Sequence, residues 1–234
     1  MGITIDFISY DELINLIFTS GIRTITYANQ HVLNQQYKNV KLSSELKKFD
    51  LIHPDGIGVQ KALKYLFNVN SPRITGSDLY YMLFNKLDST SRSVFIFGSS
   101  KNVLENAVRV IRSDYKNINI VGYLDGYSGL SKDSILSKIN KLNPFILFVA
   151  LGTPKQEQWI IENKDFLSVE KIIAIGGGLR VLCGDRSRGP VFMQRLGLEW
   201  LIRLFEEPVK NFYRYAIGIP LFLLRIRKQK NQRI

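Results

Sequence analysis

The segment His53-Pro54-Asp55-Gly56 sets one carboxylate in a tight turn between an apolar run and a helical one. A carboxylate there can take the proton of an attacking hydroxyl, and it can equally cap the helix that follows. A second segment, Leu151-Gly152-Thr153-Pro154-Lys155-Gln156-Glu157, joins another apolar run to another helix. Gly152 lets a ligand approach the backbone, Pro154 presets φ for a helix start, and the N–H groups behind it make an anion site. Lys155, Gln156 and Glu157 add three different polar tips, although a helix with a solvated first turn accounts for them too. Arg73, between Pro72 and Gly76-Ser77-Asp78, and Arg188, before Gly189-Pro190, are cations in Gly/Pro turns. Gathered at one mouth, such guanidiniums grip a diphosphate bidentately; scattered, they are surface charge.

Several familiar devices are missing. The sequence has no Asp-x-Asp pair to hold a divalent ion, no P-loop and no Gly-x-Ser-x-Gly elbow. Gly176-Gly177-Gly178 fails the dinucleotide spacing because Val181 holds the last glycine's place. His31 and His53 lack metal-like partners, so no metal site and no cofactor is expected. A single cysteine, Cys183, excludes an intrachain disulfide. A leaving diphosphate would then be neutralised by arginines, lysines and backbone amides.

The elements that must position these residues follow from periodicity. Short apolar runs predict strands over Thr24–Ala28, Leu51–His53, Val94–Phe97, Ile118–Gly122, Ile146–Ala150 and Ile172–Ile175. Between them, helical patterns cover His31–Gln36, Gly58–Phe67, Leu79–Leu87, Asn102–Asp114, Lys132–Leu142 and Gln156–Asn163. Several strand runs are apolar throughout, as expected when helices cover both faces. The alternation predicts an α/β fold with a Rossmann-like, doubly wound, mainly parallel sheet. Asn29, Asp55-Gly56, Gly98-Ser99, Asp125-Gly126, Gly152 and Gly176 punctuate the strand ends, the edge where such sheets bind ligands.

The 234 residues are 45% hydrophobic and 22% charged, an ordinary globular balance. Met1 to Leu16 shows no basic region before an apolar stretch, so no secretory signal is expected, and Asp6 spoils a myristoylation pattern; the expected address is the cytoplasm. Net charge is +12, and the stretch from Pro208 to Ile234 holds Lys210, Arg214, Arg225, Arg227, Lys228, Lys230 and Arg233 with no acidic residue. Interleaved with Tyr215, Ile217, Phe222 and Leu223, these predict a helical, basic appendage over 196–234, behind a catalytic core over 1–195. Phe222 and Leu223 would insert at the interface of an anionic membrane. The apolar stretch Tyr215–Leu224 is shorter than the about 20 residues a spanning helix needs, and Gly218 and Pro220 are expected to interrupt any helix there. A nucleic-acid-binding module is the competing reading, from a pI near 9.7. Concentration of the charge in one terminal segment argues against it. A non-catalytic scaffold of an assembly complex is a further alternative.

Together these segments resemble the WecG/TagA/CpsF glycosyltransferase family. The matching features are Asn29, Asp55-Gly56-Ile57-Gly58-Val59, Arg73-Ile74-Thr75-Gly76-Ser77-Asp78-Leu79 and Val94-Phe95-Ile96-Phe97-Gly98. They continue through Gly152-Thr153-Pro154-Lys155-Gln156-Glu157, Arg188-Gly189-Pro190 and Gly197-Leu198-Glu199-Trp200-Leu201. The resemblance implies an inverting, metal-independent transfer from a UDP-sugar, often an N-acetylmannosamine-type donor. The implied acceptor is a polyprenyl-diphosphate-linked sugar in surface polysaccharide or teichoic acid assembly, used at the inner face of the membrane; a homo-oligomer is compatible with it. Asp55 falls on the family's proposed general base, and Gln156 is taken with it as catalytic. Tyr27, Asn29, Arg73, Gly98 and Gly152 are expected around the substrates, as are Lys155 and Glu157. Arg203 and Arg214 match the appendage that completes the active site. Tyr27 stands where the family commonly has Thr, a departure that bears on the donor sugar.

Overall fold

The computed structural model describes residues 2–19 and 21–232. Of the basic residues singled out in the tail, Arg233 and the side chain of Lys210 lie outside that description. Six strands form one sheet: β1 (Thr24–Ala28), β2 (Leu51–Pro54), β3 (Ser93–Gly98), β4 (Asn119–Leu124), β5 (Ile146–Ala150) and β6 (Lys171–Ala174). Their order is β2-β1-β6-β5-β3-β4, and every pairing is parallel. All six predicted strands are present, shifted by a residue or two at their ends.

Alternation along the strands shows why their sequences are apolar throughout. In β5, Ile146, Phe148 and Ala150 point into one layer while Leu147 and Val149 point into the other. The first layer holds α1 (Tyr10–Thr19), α5 (Gly76–Thr90), α6 (Lys101–Asp114) and the short α9 (Gly178–Leu182). The second holds α2 (Gln30–Lys38), α3 (Val40–Leu46), α4 (Ile57–Phe67), α7 (Lys132–Leu142) and α8 (Lys155–Asn163). β4 alone of the six is left partly open to water; in the other strands both faces are covered and alternation in hydropathy is lost. The periodicity overlooked α1 and α3. Helix α1 is started by a reciprocal cap, in which Ser9 N–H donates to Glu12 Oε2 at 2.8 Å and Glu12 N–H donates to Ser9 Oγ at 3.3 Å.

Gly98 closes β3 at φ +121°, and a Cβ there would lie 2.6 Å from the Ala150 carbonyl carbon. Its lack of a side chain lets the ends of β3 and β5 meet.

Beyond the sheet lie α10 (Val191–Leu196), α11 (Glu199–Glu206), α12 (Pro208–Phe212), a π-helical turn (Tyr213–Ile217) and α13 (Gly218–Asn231). The expected interruption at Gly218 and Pro220 does not occur. Helical backbone runs on from α12 through the π-helical turn into α13, and Pro220 follows that turn, whose wider hydrogen-bond spacing accommodates the proline inside a continuing helix. Insertion of Phe222 into a membrane is corrected as well, because Phe222 is 2% exposed and belongs with Ile226 to the second core layer. Leu223 and Leu224 face outward from the same helix. No helix among the described residues is long and apolar enough to cross a membrane.

The two environments of α13 predict different costs. Phe222→Ala should lower the unfolding free energy by about 3–5 kcal/mol, the range for a core phenylalanine. Leu224→Ala should change it by no more than about 0.5 kcal/mol. Urea denaturation of both variants measures the contrast; equal effects would mean that α13 does not pack as described.

Candidate active site

Outside the carboxyl ends of β2, β1, β6 and β5 lies a cavity of about 1030 Å³. Asp55 stands at its floor, just after β2. Its backbone is clamped on both sides, with Asp55 N–H donating to Ala28 O at 2.9 Å and Gly56 N–H donating to Ile74 O at 2.8 Å. The Asp55 side chain does not cap α4, which begins after Gly56 without a side-chain cap. Instead Oδ1 accepts from the Gly76 N–H at the start of α5, and Oδ2 accepts from Asn29 Nδ2, both at 3.1 Å. Asn29 is itself fixed, since its Oδ1 caps α2 by accepting from the His31 and Val32 N–H groups at 3.0 Å. A carboxylate oxygen accepts more than one hydrogen bond, so each Asp55 oxygen retains capacity for an incoming hydroxyl.

Tyr27, Asn29, Asp55, Arg73, Gly152, Arg203 and Arg214 all line the cavity. Gly98, Lys155, Gln156 and Glu157 are not among its lining residues. Gly98 serves the β3–β5 contact, and Lys155 is exposed. Gln156 and Glu157 are fully buried behind the wall. Gln156 Oε1 accepts from Gly152 N–H at 3.2 Å and Gly176 N–H at 3.0 Å. Its Nε2 donates to Tyr27 Oη at 3.2 Å and to Glu157 Oε1 at 2.8 Å. With two donors and two acceptor positions engaged, this amide braces the cavity wall.

Burial pushes the Glu157 carboxyl above its ordinary value, against hydrogen bonds from Gln156, Thr153 and Thr26 that pull it down. Burial, with the charges of Glu157 and Asp55, pushes the Tyr27 phenol up to about 12. Tyr27 therefore presents a neutral hydroxyl. It also fills the space beside Gly176, where a Cβ would collide with its oxygen.

Cations dominate the lining: Lys61, Arg73, Arg180, Arg186, Arg203, Arg214 and Arg227 stand against the carboxylates Asp55 and Glu199. Arg186 and Lys61 escaped the sequence reading, and Arg227 was read there only as a tail cation for a membrane surface; Arg186 had only its closeness to Arg188 as a signal. Burial, then the charges of Arg180 and Arg203, push the Arg186 guanidinium below its usual value. Glu207 offsets part of that repulsion, accepting from Arg180 at 3.0 Å and Arg186 at 2.9 Å. Burial works against the Arg203 cation, but Tyr215, Asp55 and Glu199 outweigh it and raise its pKa. Burial and the nearby Arg214 charge push His31 down to about 4, leaving a neutral ring at the wall. Arg73 and Arg188 do gather, but around Glu199, each at 3.6 Å, and Arg188 does not line the cavity. Nε of Arg73 and Nε of Arg214 are buried without an acceptor among the described residues. Buried guanidinium donors left unpaired, under an excess of positive charge, suit a polyanionic ligand.

A family model described as Glycosyl transferase WecG/TagA/CpsF family matches residues 1–234. The chain belongs to this family. Among curated relatives, a Bacillus spizizenii protein is 31% identical over 224 residues, covering 96% of this chain and 86% of the relative. A Bacillus subtilis protein is 31% identical over 209 residues, covering 89% and 80%. A Staphylococcus aureus protein is 28% identical over 208 residues, covering 89% and 81%. All three carry the name N-acetylglucosaminyldiphosphoundecaprenol N-acetyl-beta-D-mannosaminyltransferase. The family places this chain among the glycosyltransferases.

The raised Glu157 value has a consequence for stability. Folded Glu157 keeps its proton at a pH where the unfolded chain has lost it. Its contribution is therefore full below the unfolded value of 4.5 and is lost as pH rises through the folded value. Glu157→Gln, with no proton to lose, should gain on the wild type as pH rises through the interval above 4.5 in urea unfolding. A constant difference across that interval would mean that the carboxyl is ionised throughout.

Proposed function

We propose that this enzyme transfers an N-acetylmannosamine-type sugar from a UDP-sugar to a polyprenyl-diphosphate-linked sugar in surface polysaccharide or teichoic acid assembly. The single observation that carries the reading is Asp55, tethered through both oxygens at the floor of an arginine-lined cavity. The relatives' shared name supports the substrate pair.

In the proposed step an acceptor hydroxyl attacks the anomeric carbon as its proton passes to Asp55. The bond from that carbon to the diphosphate oxygen breaks, and UDP leaves with the electron pair. Arg73, Arg203 and Arg214 neutralise the charge that develops on the diphosphate, the role a divalent ion plays elsewhere. Attack in one displacement inverts the anomeric centre. The other lining carboxylate, Glu199, is occupied by Arg73 and Arg188, which disfavours it as a covalent nucleophile. Gln156 and Glu157 take part as positioning residues, through Gly152, Gly176 and Tyr27.

UDP release measured in excess EDTA tests base and metal independence together. Wild-type turnover should persist, and Asp55→Asn should lower kcat by about 10²–10⁴-fold with the fold retained. Loss of wild-type turnover that Mg²⁺ restores would refute the metal-free chemistry. Near-normal turnover by Asp55→Asn would remove Asp55 as the base.

We also propose that the enzyme rests on the inner face of the membrane through its C-terminal helices. Helices α10 to α12 expose Val191, Phe192, Leu196, Phe205, Val209 and Phe212, and α13 exposes Arg227 and Lys228. Apolar side chains beside cations suit an anionic interface. The paired change Val209→Asp and Phe212→Asp should weaken sedimentation with anionic liposomes by about tenfold or more, at roughly 0.8 kcal/mol per buried methylene lost. A wild-type protein that ignores such liposomes would sink the membrane reading.

A further inference from the structure

The active-site cavity does not end at the arginines. An arm of it runs between α4 and α13, past Ala62, Tyr65, Ile219, Leu223 and Ile226. A second chamber of about 300 Å³ adjoins it, enclosed by the segment before α1 together with α2, α4 and α13. Ile3, Ile5, Leu33, Leu63, Leu66 and Phe67 line this chamber, with Thr4 and Gln229 its side-chain polar contributors. Ala62 and Ile226 line both spaces, so the arm and the chamber meet at these two side chains. The two helices are fixed there, because Lys230 Nζ donates to Tyr65 O at 2.8 Å and lies 4.2 Å from the Tyr65 ring centroid.

The order of chemistry along this path is specific. Lys61 and Arg227, next in the chain to the shared residues Ala62 and Ile226, line the active-site side. Beyond Ala62 and Ile226 the lining turns apolar. A ligand matching it carries anionic charge followed immediately by a branched hydrocarbon. Resting on the transferase reading above, we propose that the chamber seats the first isoprenoid units of the lipid-linked acceptor, with its diphosphate between Lys61 and Arg227. The acceptor sugar then points along the arm toward Asp55. Specificity for a prenyl diphosphate over bulk phospholipid arises here, because the chamber is a pocket of ligand size that takes one chain.

Binding of farnesyl diphosphate, below its micelle concentration, compared with binding of inorganic diphosphate tests this independently of turnover. Wild type should favour farnesyl diphosphate by about tenfold or more, from the apolar area buried. Leu66→Trp and Ile3→Trp, which fill the chamber from two different elements, should each reduce that preference to within about twofold. The ratio is taken within each variant, so a partial folding loss cancels. Equal binding of the two diphosphates by wild type overturns the proposal, as does a preference that survives in both variants. Displacement of farnesyl diphosphate by a short-chain phosphatidylglycerol at equal potency also overturns it, assigning the chamber to membrane lipid. A wild type that binds farnesyl diphosphate as expected but releases no UDP with any prenyl-diphosphate sugar would instead sink the transferase reading.

Discussion

The architecture of the site depends on one buried amide. Gln156 ties the turn after β5 to the turn after β6 by accepting from Gly152 and Gly176, and it reaches β1 by donating to Tyr27. Three neighbouring strand ends are thereby held in one arrangement. Two of its partners are backbone N–H groups in glycine turns that have no neighbouring strand to pair with. Leaving a buried donor unpaired costs about 1–3 kcal/mol, so a chain without this amide would rearrange both turns. Glu157 supports the same brace from behind, accepting from Gln156, Thr153 and Thr26. The polar network is buried because the walls of the cavity are loops, and loops supply no hydrogen-bond ladder of their own.

Electrostatics in front of that wall is arranged in the opposite sense. Burial, and then the nearby charges of Arg180 and Arg203, disfavour the Arg186 cation, and Glu207 compensates only part of that cost. Charges held apart from water without full compensation raise the energy of the unliganded protein. On the proposed reading, a diphosphate entering the cavity would relieve that repulsion, and part of its binding energy would be the removal of a cost built in on folding.

Strand number and the ligand-binding edge were legible because apolar runs and glycine punctuation are local properties. Asp55, Asn29, Tyr27, Arg73, Arg203 and Arg214 were legible through motif order, and the structure brings all six to one cavity. The depth of Gln156 and Glu157 was not. Polar residues in a first helical turn are ordinarily solvated, whereas these two are covered by tertiary neighbours, among them Thr26 and Tyr27 of β1 and Gly176 after β6. Arg186, Lys61 and Arg227 reach the cavity by tertiary placement, for which the chain offers no spacing rule. Pro220 misled for a different reason: the π-helical turn ahead of it loosens the hydrogen-bond spacing, so the chain passes a proline without leaving the helix, and no local pattern announces such a turn. Ser9 and Glu12, by contrast, spelled a helix start that periodicity alone overlooked.

Helix α2 holds two things at once. Its first cap, Asn29, steadies Asp55, while Gln30 and Asn34 on its flank hold the tail by donating to Arg214 O at 3.0 Å and Gly218 O at 2.6 Å. Arg225 completes the latch, donating to the Asn34 side-chain oxygen at 2.7 Å. The segment that would touch lipid and the carboxylate at the centre of the cavity are therefore mounted on the same short rod. A minimal soluble enzyme cannot be obtained by cutting the tail away, since the cut would unload the rod and strip Phe222 and Ile226 from the core. Engineering for solubility has to work by recolouring the outer face of the C-terminal helices, residue by residue, with the latch left intact.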